Sequence, residues 1–146
     1  MREVNKESIN LIKRWESFVD HVYICAAGYP TIGFGHVVAK GEEFSTISIE
    51  EAESLLQKDL SLAIKGVLRY ISVTLSDNQF GALVSFAFNC GNGALQRSTL
   101  RRKLNRSEYN EVPSELLKWC IGGGKKLKGL LNRRIAEGIL FQQEDL

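Results

Sequence analysis

One stretch, Trp15 to His36, constrains this chain more than any other. It joins the end of an amphipathic helix to a short segment punctuated by Gly28, Gly33 and Gly35. Over residues 4 to 16 and just beyond, Ile9, Leu11, Ile12, Trp15, Phe18 and Val19 fall on one half of a helical wheel at about 100° per residue. Asn10, Lys13, Arg14 and Ser17 fall on the other half. Glu16 breaks the separation, projecting between Ile9 and Ile12 at the border of the apolar stripe. A carboxylate partly withdrawn from water holds its proton more tightly unless a partner satisfies it. A glutamate with a basic partner at a helix end is the ordinary alternative.

Val22 to Ile24 and Thr31 to Phe34 are short β-branched or aromatic runs. Ala26-Ala27-Gly28-Tyr29-Pro30 between them reads as a turn, which predicts a β-hairpin. Gly33 and Gly35 alternate with Phe34, and glycine inside a strand marks close approach of a ligand or another backbone. Val37 to Phe44 continues as a further strand and turn. The rest is helical. Ser48 and Glu51 form a capping box that opens a helix over about 48 to 70, with Ala52, Leu55, Leu56, Leu60, Ala63, Ile64, Val67 and Leu68 on its apolar face. At roughly 1.5 Å per residue it spans about 33 Å, long enough to be a spine between two lobes. Ser76 with Gln79 opens a helix apolar on nearly every side, ended by Asn89-Cys90-Gly91-Asn92-Gly93. Shorter helices follow near 97–104 and 113–121. Gly122-Gly123-Gly124 reads as a flexible break, and a last helix over about 127–141 carries Leu127, Leu130, Leu131, Ile135, Ile139 and Leu140.

At 146 residues, 44% hydrophobic and 25% charged, the chain suits one globular domain of two lobes, burying roughly 70% of its unfolded surface. No apolar run approaches the roughly 20 residues that span a bilayer, and the polar N-terminus lacks a signal peptide's apolar centre. A chain starting there is expected to reach the cytoplasm first. Cys25, Cys90 and Cys120 are odd in number and lack metal-like spacing, so three reduced thiols are expected. His21 and His36 make no zinc motif, and neither a metal nor a cofactor is expected. From Leu95 to Arg134 eleven basic residues face three acidic ones. They read as solvated helix faces, or as a cationic surface toward an anionic polymer, a membrane or nucleic acid.

Several chemistries lack their motif. Gly33-Phe34-Gly35 misses the third glycine of a dinucleotide fingerprint, because Val38 stands there. Gly124-Lys125 follows Trp119 where a phosphate loop needs glycine, and no Gly-x-Ser-x-Gly elbow exists. Cys25 and His36 could pair as nucleophile and base, but nothing local singles them out. A DNA-binding reading of the basic half has no specific helix-turn-helix signal, and the net charge of +2 argues against it.

Glu16, Tyr23, Cys25, Gly28 and Thr31-Ile32-Gly33-Phe34-Gly35-His36 resemble the active-site signature of the phage lysozymes, the endolysins of glycoside hydrolase family 24. Asn78-Gln79-Phe80, Ala82 to Asn89, Ser98-Thr99-Leu100, Gly122 to Lys125, and Arg133-Arg134 with Glu137 extend the resemblance over nearly the whole chain, toward the lambdoid phage branch. The resemblance implies an α+β, mainly helical lysozyme-like fold in one domain. It has a small β-hairpin lobe over about 17–47 and a connecting helix over about 48–70. A larger helical lobe takes in about 74–146 and the N-terminal helix, with a cleft between the lobes. It implies a monomeric muramidase cutting the β-1,4 bond between N-acetylmuramic acid and N-acetylglucosamine in peptidoglycan. A holin-type pore would deliver it from the host cytoplasm to the periplasm and wall. Glu16 would be the general acid and Thr31 would hold the attacking water. Val37 and Phe88 would line the sugar site, and His36 would order the hairpin.

The sequence departs from the family at Cys25, where the family has aspartate. In the inverting mechanism that carboxylate activates water opposite the acid. A thiol with a reference pKa of about 8.5 is mostly neutral at pH 7. Three outcomes follow. Cys25 acts as a thiolate, base or nucleophile; Asp20 substitutes for it; or the chain is an impaired or inactive lysozyme-fold protein that binds peptidoglycan.

Overall fold

The computed structural model describes residues 1–145. Its elements run α1 (Lys6–Glu16), β1 (Val19–Ile24), β2 (Pro30–Gly33), β3 (His36–Val37), α2 (Ile49–Tyr70), α3 (Asp77–Cys90), α4 (Asn92–Arg97), α5 (Thr99–Asn105), a 3-10 turn (Tyr109–Glu111), α6 (Val112–Leu116), β4 (Ile121–Gly122), β5 (Lys125–Lys126) and α7 (Lys128–Gln142). The architecture is α+β and dominated by helices. Two compact units form: one from residues 12–61, the other from residues 1–11 and those from 62 onward. Helices α1 and α2 each contribute to both.

In the smaller unit β1, β2 and β3 make an antiparallel sheet in that order. Tyr23 lies opposite Thr31, Ile24 opposite Pro30, and Thr31 opposite Val37. The inward faces of α1, the sheet and α2 meet through Ile12, Ile32, Phe34, Ile47, Ala52 and Leu56, all buried. Gly33 is in the left-handed region at φ +69°, and a methyl group on it would lie 3.2 Å from the Ala52 Cβ. Absence of that methyl lets the strand approach the helix closely. Ser48 and Glu51 cap α2 reciprocally, each side chain accepting the other's amide at 3.1 Å. Lys13 pairs with Glu53, and its ammonium sits 5.5 Å above the Phe34 ring, fixing the last turn of α1 against α2 and the hairpin.

In the larger unit α3 is the buried helix, with Phe80, Leu83, Val84 and Phe86 almost wholly enclosed. Ser76 and Gln79 close its N-terminus as a capping box. Asp145 adds two acceptors there, taking the Asp77 and Asn78 amides at 2.9 Å. A methyl group on Gly81 would fall 1.6 Å from Ser8 Oγ, so α3 can carry only glycine where α1 begins.

Four sequence expectations are corrected. Gly122-Gly123-Gly124 is a tight hairpin rather than a flexible break: Gly122 lies opposite Lys125, and Gly123 and Gly124 supply φ +58° and +79°. The segment expected as one helix near 97–104 is split, because Ser98 adopts an extended conformation and caps α5. Likewise α6 stops at Leu116, well short of the expected 121. Most telling is α7, where Ile135 and Ile139 are exposed while Arg133, Arg134 and Glu137 are buried.

Those three charges form the polar centre of the larger unit. Ser85 Oγ donates to Glu137 at 2.6 Å, and Arg133 reaches Glu137 at 3.4 Å and Ser85 Oγ at 3.3 Å. Arg134 Nε lies 3.1 Å from Glu137, its guanidinium donates to Cys90 Sγ at 2.8 Å and to Asn89, and it stacks on Phe86. Removing one partner from such a network strands the rest without water. Glu137→Ala is expected to destabilise the protein by about 3–5 kcal/mol, read as a lowered urea midpoint.

Candidate active site

The site is built where α1 turns into the sheet. Ser17, directly after Glu16, has φ +60°, uncommon for a residue with a Cβ, and swings the chain into β1. Its amide still bonds the Lys13 carbonyl at 3.0 Å, so the helix end is held to its last residue. Glu16 is half-buried there. Its carboxyl group rests on the turn between β2 and β3: a methyl group on Gly35 would lie 2.7 Å from Glu16 Oε1 and 3.5 Å from Cδ. Gly35 has φ +76°, a conformation that favours glycine, and a Cβ there would push the Glu16 carboxyl aside. Gly35→Ala is therefore expected to cut activity on the order of 100-fold by displacing the Glu16 carboxyl, measured as turnover on purified cell walls.

Cys25 opens the β1–β2 turn. Its amide donates to the Tyr29 carbonyl at 3.0 Å, and the Gly28 amide, at φ +88°, returns to the Cys25 carbonyl at 2.8 Å. Hydrogen bonds from the Tyr29 backbone, the Thr31 side chain and the Ala27 and Gly28 backbone hold the Cys25 thiol below its ordinary pKa, outweighing partial burial. Thr31 is buried, and its hydroxyl also contacts the Tyr29 carbonyl at 2.9 Å. The one hydroxyl proton thus serves either that carbonyl or the sulfur. The other cysteines differ: burial pushes the Cys90 thiol up despite Arg134 beside it, and Cys120 is buried.

His36 cannot serve Cys25 as a base. Its Nδ1 is 2.8 Å from Asp59 on α2 and its Nε2 is 3.0 Å from Glu42, whose same oxygen accepts the Ala39 amide at 2.6 Å. Burial disfavours the charged ring, but the bonds and charges of Glu42 and Asp59 prevail and hold the His36 pKa above its usual value. Asp20 is exposed on β1 and its carboxylate faces His21 at 2.9 Å. Val37 is exposed on β3 opposite Thr31, in the smaller unit. Phe88 is half-buried on α3, in the larger unit. The structure gathers Glu16, Cys25, Thr31 and Val37 into one unit. The contributions of Tyr29, Glu42 and Asp59 had no sequence signal, because they act through a turn amide or across the chain.

The helix-dominated α+β architecture is that of the lysozyme-like fold. A family model described as phage lysozyme matches residues 13–137, and the chain belongs to that family. It is 40% identical to an endolysin of Bacillus phage B103 over 94% of this chain and 53% of the relative. It is 34% identical to an endolysin of Salmonella phage P22 over 97% of this chain and 99% of the relative. The chain thus spans about half the length of the Bacillus phage relatives and nearly all of the P22 protein. Among solved structures, the muramidase domain of SpmX from Asticaccaulis excentricus is similar at TM-score 0.89 and 29% identity, covering 99% of this chain and 100% of that one.

Proposed function

We propose that this chain is a peptidoglycan muramidase with Glu16 as general acid and the Cys25 thiolate in the place of the usual aspartate. The seating of Glu16 against Gly35, in a chain of the phage lysozyme family, carries the reading. Glu16 gives its proton to the glycosidic oxygen as the bond to the sugar C1 breaks. Water attacks C1 from the other face, and its proton passes to Cys25 Sγ. The turn amides that favour a charged sulfur do for the thiolate what they would do for a carboxylate: they replace lost water with fixed dipoles. Thr31 holds the attacking water beside Sγ, and Val37 and Phe88 contact the sugars.

The substrate is the β-1,4 bond between N-acetylmuramic acid and N-acetylglucosamine. The protein acts as a monomer, released from the host cytoplasm through a holin-type pore. Among the described residues no helix is long and apolar enough to cross a membrane. Part of the basic half belongs to structure rather than to the envelope: Arg133 and Arg134 are buried, and Lys103 and Lys118 pair with Glu115. Digestion of purified peptidoglycan tests the reading. New reducing ends on N-acetylmuramic acid support it, while binding without cleavage identifies an inactive wall-binding protein.

A further inference from the structure

The basic half of the chain leaves one group of cations without a structural role. Lys103 and Lys118 pair with Glu115, and Arg133 and Arg134 are buried. Lys125, Lys126 and Lys128 are exposed, and among the described residues none of the three makes an ion pair. No acidic residue occurs between Glu115 and Glu137. Lys128 opens α7, where the aligned peptide dipoles disfavour a cation, and no acidic residue stands in that first turn. Helix stability therefore does not account for these lysines.

All three belong to the β4–β5 hairpin of the larger unit or directly follow it. At the tip of the hairpin a methyl group on Gly123 or Gly124 would meet nothing within 4 Å. Aliphatic side chains are interleaved with the lysines. Ile121 lies opposite Lys126, so both project from one face of the hairpin. Leu127 is extended, at φ −112° and ψ 124°, and continues the alternation. It shares the other face with Lys125 and packs over Gly122, where a methyl group would lie 2.7 Å from its Cδ1. Ile121 is 61% exposed and Leu127 44%. Each face thus sets an exposed aliphatic group beside a cation.

We propose that the β4–β5 hairpin docks the protein on an anionic phospholipid surface, with the lysines at the lipid phosphates and Ile121 and Leu127 among the upper acyl carbons. Charge alone would suit any polyanion. The aliphatic pair selects a lipid, because a hydrated polymer offers no apolar layer to receive it. Lysine suits the same depth, since its stem covers apolar surface while its ammonium group reaches the phosphates. Each lysine near such a surface strengthens partition by roughly fivefold, on the order of 100-fold for three. Held this way, the chain is concentrated on a surface instead of in bulk water. The docking does not depend on Glu16 or Cys25, so it stands or falls apart from the catalytic reading.

Co-sedimentation of the full chain with vesicles tests the inference. Vesicles of phosphatidylethanolamine and phosphatidylglycerol are expected to carry the protein down, and vesicles of phosphatidylcholine are not. Combining Lys125→Gln, Lys126→Gln and Lys128→Gln should weaken binding to the anionic vesicles on the order of 100-fold. All three side chains are exposed, so the triple variant keeps its fold and melts within a few degrees of the parent. Ile121→Ser should weaken vesicle binding about fivefold and leave binding to soluble polyphosphate unchanged. Failure of the parent protein to sediment with the anionic vesicles overturns the inference. Undiminished vesicle binding by the triple variant overturns it too, placing the contact elsewhere. Vesicle binding indifferent to Ile121→Ser also overturns it and makes the hairpin a site for anionic polymers. Glu16→Gln should sediment like the parent, so loss of docking and loss of cleavage are read separately.

Discussion

Glu16→Gln lowers the rate of peptidoglycan cleavage by roughly 10²–10⁴-fold, the contribution of a positioned general acid. Glutamine is nearly the same size, so it fills the space above Gly35 and keeps the helix end intact. What it lacks is a proton it can release to the glycosidic oxygen. The melting temperature is expected to stay within a few degrees of the parent, because a lost proton donor is not a lost packing contact. Unaltered turnover in a folded Glu16→Gln protein would remove the acid from the mechanism and the rest of the assignment with it.

Alkylation of Cys25 abolishes cleavage, while Cys25→Asp preserves or raises it. The asymmetry comes from the turn. Backbone groups of Tyr29, Ala27 and Gly28 and the Thr31 hydroxyl favour the charged form of the Cys25 thiol. Aspartate supplies that charge at every pH of interest, whereas the thiol supplies it only in part. A carboxamidomethyl group removes the charge and fills the place of the water. Cys25→Ala should lose on the order of 100-fold, since water then has no base. Selective labelling is feasible. Thiolate is the reactive form, and Cys25 is held toward it, while Cys90 is pushed away from it and Cys120 is buried. Mass spectrometry after brief treatment should find Cys25 modified first. Fully active protein carrying the label at Cys25 would make that residue a bystander.

Much of the fold can be read from local signals. The capping boxes at Ser48 and Ser76, the long helix between Ile49 and Tyr70, and the hairpin around Gly28 depend on residues three or four apart, and all are present. The errors fall where tertiary context overrides pattern. Ile135 and Ile139 resemble a core stripe, yet α7 buries Arg133, Arg134 and Glu137, because Ser85, Asn89 and Cys90 on α3 give those charges partners that no local pattern announces. Leu68 fits the apolar face of α2 but is exposed. Gly122 to Gly124 suggest flexibility by composition, whereas their positive φ angles close a two-residue turn.

The candidate site divides the same way. Its residues follow one another within a single stretch, and the glycines announced a close approach. Which carboxyl group Gly35 approaches, and which backbone groups attend Cys25, are facts of the folded turn. A helical wheel puts Glu16 at the edge of an apolar stripe but cannot say that the β2–β3 turn lies beneath it. Both bonds of His36 are also long-range, to residues 6 and 23 positions away.

The anomeric form of the first product, taken with the rate, tests the central claim most directly. Purified peptidoglycan is cleaved with Cys25 free and with Cys25 alkylated, and the new reducing end is followed by NMR before mutarotation equilibrates it. Water attacking opposite a protonated leaving group inverts the β bond, so the free enzyme gives the α-anomer first and the alkylated enzyme gives almost none. A β-anomer as first product, or an undiminished rate with Cys25 blocked, contradicts the assignment of Cys25 as the base that activates water.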